Sequence, residues 1–153
     1  WAKENLRKVA KEKNVNPSRL IFADRVLIDE HYKRHQLADL FLDTFDYNSH
    51  ATAVDCLWSG LPLITKIGKG FQARIASSLL NALGMNELIT KSDKEYKELI
   101  LKLAQDFSKI RSLKDKLNKN LKNYPLFNSI KYTRNFEKAL KDVYDDKLRL
   151  FRN

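Results

Sequence analysis

Three observations predict an α/β fold, a partial doubly wound parallel sheet followed by C-terminal helices. Short apolar runs alternate with helical patterns through residue 91. The runs are too short and too continuously apolar for half-exposed strands, and read as strands buried on both faces. From Ser92 onward the pattern becomes helical throughout. Strand–helix alternation at this spacing implies βαβ units. The chain therefore divides into a Rossmann-like part over 1–91 and C-terminal helices over 92–153 packed on it, within one domain.

Taken in order, Trp1 to Lys13 carries a helical pattern, an unusual opening for a doubly wound domain. The simplest account is a sequence that begins inside a larger domain, after its first strands. Buried strands are expected at 19–23, 40–43 and 62–65, with a fourth short one at 87–90. Helices are expected from Asp29 to Ala38, Thr52 to Ser59 and Phe71 to Leu83. Tyr96, Leu99, Ile100, Leu103, Phe107 and Ile110 recur at helical spacing, with a break before Leu113, Leu117 and Leu121. Pro125 restricts Tyr124 and should interrupt the helices. A last helix presents Phe136, Leu140, Val143, Tyr144 and Leu148 on one stripe.

Composition narrows the function. No long uncharged apolar run or signal-peptide pattern is present, so a cytoplasmic protein without a membrane partner is expected. Cys56 is the only cysteine, which excludes an intramolecular disulfide and a cysteine zinc site. Net charge is +10, but residues 91–153 carry 17 basic and 9 acidic side chains, so the excess sits on the C-terminal helices. No aromatic–basic interleaving accompanies it, and the reading is a solvated helix face rather than a nucleic-acid surface.

Two segments follow expected strands, where open α/β sheets place their ligand crevice. They are Asp29 to Asp39 and Asp43 to Asp55. In the second, a polar turn leads into a helix whose apolar face is Val54, Leu57 and Trp58. The backbone N–H groups of Ala51 to Ala53 would point out of the helix start and favour an anion such as a diphosphate. Asp55 would repel phosphate but suits ribose hydroxyls. A nucleotide diphosphate lying across the helix start satisfies both.

These residues also carry a resemblance. His31-x-x-Arg34-x-Gln36-Leu37-Ala38-Asp39, Leu42-Asp43-Thr44, Asn48-x-His50-x-Thr52-x-x-Asp55 and Leu57-Trp58-x-Gly60-x-Pro62 are similar to the C-terminal part of the O-GlcNAc transferases. Tyr124-Pro125-Leu126-Phe127-Asn128 with Tyr132-Thr133 resembles their closing segment. The resemblance runs from about Asn14 to Tyr144 and implies the Rossmann-like C-terminal half of a GT-B fold. It implies inverting, metal-independent transfer of N-acetylglucosamine from UDP-GlcNAc to protein Ser or Thr hydroxyls, with no cofactor. His31 would pack on the uracil or ribose, and Arg34 would hold the base. His50, Ala51 and Thr52 would line the diphosphate, His50 stabilising the leaving group, and Asp55 would bind the ribose. The other GT-B half with its catalytic histidine, and the TPR repeats that usually precede it, would lie upstream of Trp1, leaving this stretch inactive alone. Ile28 stands where the family often has lysine, and Ala51 replaces the middle residue of a His-Thr-Thr, removing one polar contact each.

Several features admit blander readings. His31 and His35 are four apart on one helix face but lack a third ligand, so no metal site is expected. Cys56 and Trp58 read as core residues. Gly68-Lys69-Gly70-Phe71 could border a ligand or be an ordinary turn, and Arg74 could face the crevice or form an ion pair. An alternative function is a non-catalytic interaction module working through the basic C-terminal helices.

Overall fold

A computed structural model describes the backbone of residues 1–152 and the side chains of residues 1–148. The chain forms two compact units, Trp1–His31 and Tyr32–Asn153. In the first, α1 (Ala2–Glu12) leads to a 3-10 turn, Pro17–Arg19, capped by the Asn16 side chain accepting from Ser18 N at 3.0 Å. The strand expected at 19–23 does not form. Arg19 belongs to the turn, and Leu20 is extended, but Ile21 is 90% exposed. An extended apolar run becomes a strand only beside a neighbour that takes up its backbone hydrogen bonds. None pairs with it among the described residues.

The remaining elements are α2 (Ile28–His35), β1 (Phe41–Leu42), α3 (Ala51–Trp58), β2 (Leu63–Lys66), α4 (Ile75–Ala82), β3 (Ile89–Thr90), α5 (Asp93–Ala104), α6 (Phe107–Asn123) and α7 (Ser129–Arg152). Among the described residues the sheet has the order β1-β2-β3, all parallel. Phe41 is opposite Leu63, and Thr65 is opposite Ile89. Central β2 is covered on both faces, with Leu63, Ile64 and Thr65 fully buried, which is why its sequence is apolar without alternation. Leu57, Ala76, Leu80, Leu83, Met85 and Leu88 complete the core beneath the sheet.

Helix boundaries follow local chemistry. The expected helix 71–83 opens as a 3-10 turn over Phe71–Ala73, and α4 starts only at Ile75. The helical break falls before Phe107, earlier than expected, because Asp106 caps α6 by accepting from the N–H groups of Ser108 and Lys109 at 3.1 and 3.4 Å. At the start of α5 the Ser92 hydroxyl accepts from Glu95 N at 3.2 Å, and the Glu95 carboxylate accepts from Lys91 N at 2.8 Å. Gly84, with φ +65°, ends α4 under the ring of Tyr124, and a Cβ there would collide with that ring.

Helices α5 and α6 bury Tyr96, Leu103, Ile110 and Leu117, whereas the α7 stripe stays exposed, Phe136 and Val143 included. The buried face of α3 is Ala53, Cys56 and Leu57 rather than Val54, Leu57 and Trp58. Trp58 is 56% exposed and rests on Phe127, ring centroids 5.0 Å apart, so it is not a core residue. The helix is rotated from the expected stripe because small side chains let α3 lie close to β2. Among the described residues no helix is long and apolar enough to cross a membrane.

Candidate nucleotide site at the start of helix α3

The loop from β1 to α3 is built around Asp43, which is 4% exposed at the end of the strand. Its Oδ1 accepts from Ser49 N and its Oδ2 from the Thr65 hydroxyl, both at 2.7 Å. The Asp43 N–H donates to Ile64 O, and its carbonyl accepts from the Tyr96 hydroxyl at 2.9 Å. Burial and the Asp43 charge push the Tyr96 phenol up to about 12, so it stays a donor. Fully buried Asn48 donates through Nδ2 to Thr44 O at 2.7 Å and through its N–H to Gln72 O at 2.9 Å. One carboxylate and one amide thus fix a seven-residue polar turn that would otherwise be mobile.

That turn delivers His50 to the N-cap of α3 without a side-chain cap hydrogen bond. The first helical bond runs from Val54 N to His50 O at 3.2 Å. The N–H groups of the first turn therefore remain at the positive pole of the helix, with Ala51 and Thr52 exposed. The His50 ring stacks on Tyr47, centroids 4.6 Å apart and 19° from parallel, and its Nε2 lies 3.5 Å from Gln72 O. Chemically this is an anion seat with an aromatic flank.

Asp55 lies one turn further along α3, three residues after Thr52. Its Oδ1 accepts from the Tyr32 hydroxyl of α2 at 3.3 Å. Arg34 is half-buried in the last turn of α2. His50, Ala51, Thr52 and Asp55 are thus gathered on one short helix and its cap. His31, also in α2, belongs to the other compact unit. Among the described residues no group of three His, Cys, Asp or Glu side chains is placed to hold a metal ion.

The β2–α4 loop buttresses the site through Gln72 O. It needs glycine at 68, because a Cβ there would sit 2.5 Å from the Ala73 Cβ. Arg74 is exposed, makes no ion pair among the described residues, and borders a cavity of about 470 Å³ with Phe71 and Ser78. At the end of β2, Lys66 pairs with Asp93 at 2.6 Å and lies 4.1 Å from the Phe45 ring centroid. Its ammonium holds the Asp93 carboxyl below the usual carboxylate range. Cys56 is buried, and burial with the Asp55 and Asp43 charges pushes its thiol up to about 12, so it is no nucleophile. Asp43, Asn48 and Tyr32 are the site-building residues the sequence reading left without roles. For Asp43 a signal existed, a carboxylate ending an apolar strand before a polar turn.

The chain is similar to known proteins in sequence and in fold. The chain is 33% identical over 141 residues to a UDP-N-acetylglucosamine–peptide N-acetylglucosaminyltransferase of Caenorhabditis elegans, covering 92% of this chain and 12% of that protein. Its structure resembles a mutant of the Thermobaculum terrenum O-GlcNAc transferase with a TM-score of 0.86 and 25% identity, over 94% of this chain and 28% of the other. The chain therefore spans only a small part of these relatives. Since the sequence pattern of Glycosyl transferase family 41 also matches residues 1–136, loop, helix start and α2 included, the chain belongs to that family.

Proposed function

We propose that this chain is the UDP-sugar-binding portion of an inverting glycosyltransferase that moves N-acetylglucosamine from UDP-GlcNAc to protein Ser or Thr hydroxyls. The observation that carries the reading is the start of α3. It is a helix N-terminus whose first-turn N–H groups are held at the end of a parallel strand by a buried Asp43–Asn48 scaffold, with His50 beside them. The two relatives described above, each named for N-acetylglucosamine transfer, support the same reading.

In this reading the diphosphate rests on Ala51 and Thr52. Negative charge growing on the leaving UDP is met by the helix pole and by His50. Asp55 accepts from the ribose, while Arg34 holds the base. No metal ion is needed, since the helix pole and the histidine supply the positive potential. The protein acceptor, the other GT-B half and TPR repeats are assigned to the remainder of the length its relatives possess, and the setting to the cytoplasm. Residues 1–91 form the Rossmann-like part and 92–153 the helices that brace it. This stretch alone should bind nucleotide without turning it over.

Steady-state kinetics of a polypeptide carrying the remaining catalytic length tests the assignment. His50→Ala should lower kcat by roughly 10- to 1000-fold, as expected for a lost donor to a developing anion. Asp55→Ala should mainly raise the donor KM, because a ribose contact changes little as the glycosidic bond breaks. Unchanged kcat in folded His50→Ala, or unchanged KM in Asp55→Ala, would remove that residue from the mechanism.

A further inference from the structure

We propose that Tyr32 is a positioning residue for nucleoside recognition, its hydroxyl fixing the Asp55 carboxylate that the ribose hydroxyls engage. The inference rests on the reading of Asp55 given above. Both residues belong to the same compact unit, Tyr32 in the middle of α2 and Asp55 one turn into α3. The phenol donates to Oδ1 across 3.3 Å, a contact between residues 23 apart in sequence. It therefore ties α3 to the part of α2 that carries Arg34.

The Asp55 backbone is already set by α3, where its carbonyl accepts both the Ser59 hydroxyl at 2.7 Å and the Ser59 N–H at 3.0 Å. The Tyr32 contact acts on the side-chain torsion instead. An untethered aspartate at a half-buried position must give up rotamer freedom when a ligand arrives, which weakens binding. The Tyr32 hydroxyl bears that ordering in advance. A carboxylate has about four lone-pair positions, so a phenol donor on Oδ1 is compatible with incoming sugar hydroxyls.

The surroundings favour a ring-shaped polyhydroxyl group at this carboxylate. A cavity of about 360 Å³ opens beside it, lined by Tyr32, Val54, Asp55, Trp58 and Phe127. Its walls are aromatic and aliphatic, and Asp55 supplies the charge. A sugar packs its apolar face on such walls while its hydroxyls seek the acceptor. Tyr32 contributes to both parts, ring to the wall and hydroxyl to the acceptor.

Calorimetric titration of this chain with UDP, its 2′- and 3′-deoxy analogues and inorganic diphosphate tests the proposal. The unmodified chain should prefer UDP over at least one deoxy analogue, and Asp55→Ala should erase that preference. Tyr32→Phe keeps the ring, and so the wall. It should weaken UDP binding by roughly three- to tenfold, narrow the preference to the same extent, and leave inorganic diphosphate binding unchanged. A merely structural role would weaken all four ligands alike and would overturn the proposal. So would a full UDP preference in Tyr32→Phe alongside its loss in Asp55→Ala, an outcome that leaves the ribose reading of Asp55 standing. If the unmodified chain shows no UDP binding, or Asp55→Ala keeps the preference, the ribose reading fails and the role of Tyr32 falls with it.

Discussion

Replacing Asp43 with alanine should be the most damaging single change to the candidate site, although Asp43 touches no ligand in our reading. The carboxylate accepts two hydrogen bonds at 2.7 Å, from Ser49 N and the Thr65 hydroxyl. Alanine leaves both donors without that acceptor in a place where Asp43 and Thr65 are buried. An unsatisfied buried donor costs about 1–3 kcal/mol. Ser49 is only half-buried and regains some hydration, so the sum should be about 2–4 kcal/mol. Thr65→Val removes one of the two donors and should cost about 1 kcal/mol. The hydrogen bond from Tyr96 goes to the Asp43 backbone and survives in every variant. Urea unfolding followed by circular dichroism gives the stability change, and amide exchange of residues 44–50 reports whether the turn loosens. A loss for Asp43→Ala below about 0.5 kcal/mol, with exchange unchanged, would refute the claim that this carboxylate builds the loop.

Gly68→Ala should lower thermal stability, with a loss of about 1–3 kcal/mol from overpacking against Ala73, measurable by calorimetry. Asp106 should titrate at about 2 in a carboxyl-detected NMR experiment, because Lys109 and Ser108 donate to it. Its folded value lies below the ordinary one, so its contribution is present above the ordinary aspartate range and is lost as pH falls through about 2. Protection of the Ser108 and Lys109 amides should fade over the same interval. Cys56 should resist a disulfide reagent at pH 8 in the folded chain and react after denaturation, and rapid labelling of the native state would contradict its burial.

Much of this fold was legible because the physics is local or strongly patterned. β2 declared itself by being apolar on both faces, and α5 by Tyr96, Leu99, Ile100 and Leu103 at helical spacing. The run Arg19–Ala23 looked the same as β2 in composition but has no hydrogen-bonded neighbour strand among the described residues, a fact no local window contains. Trp58 misled because large aromatic residues are read as core by default, whereas the buried contact of α3 is made by Ala53 and Cys56. The candidate site divides in the same way. The Ala51 to Ala53 N–H groups and Asp55 lie within five residues and could be read from a strand–turn–helix pattern, with His50 added by the family resemblance. Asp43 meeting Thr65, or Tyr32 meeting Asp55, joins residues 22 and 23 positions apart. Such pairings exist only once the helices and strands have packed.

The central claim is that the start of α3 seats a nucleotide diphosphate. The most direct test is an NMR titration of the isotope-labelled chain with UDP, repeated with a chelator present. Our account predicts saturable shifts of the Ala51, Thr52 and Ala53 amides and of the His50 ring, unaltered by the chelator. Absence of binding, or shifts confined to the lysine-rich faces of α6 and α7 that vanish with added salt, would contradict it.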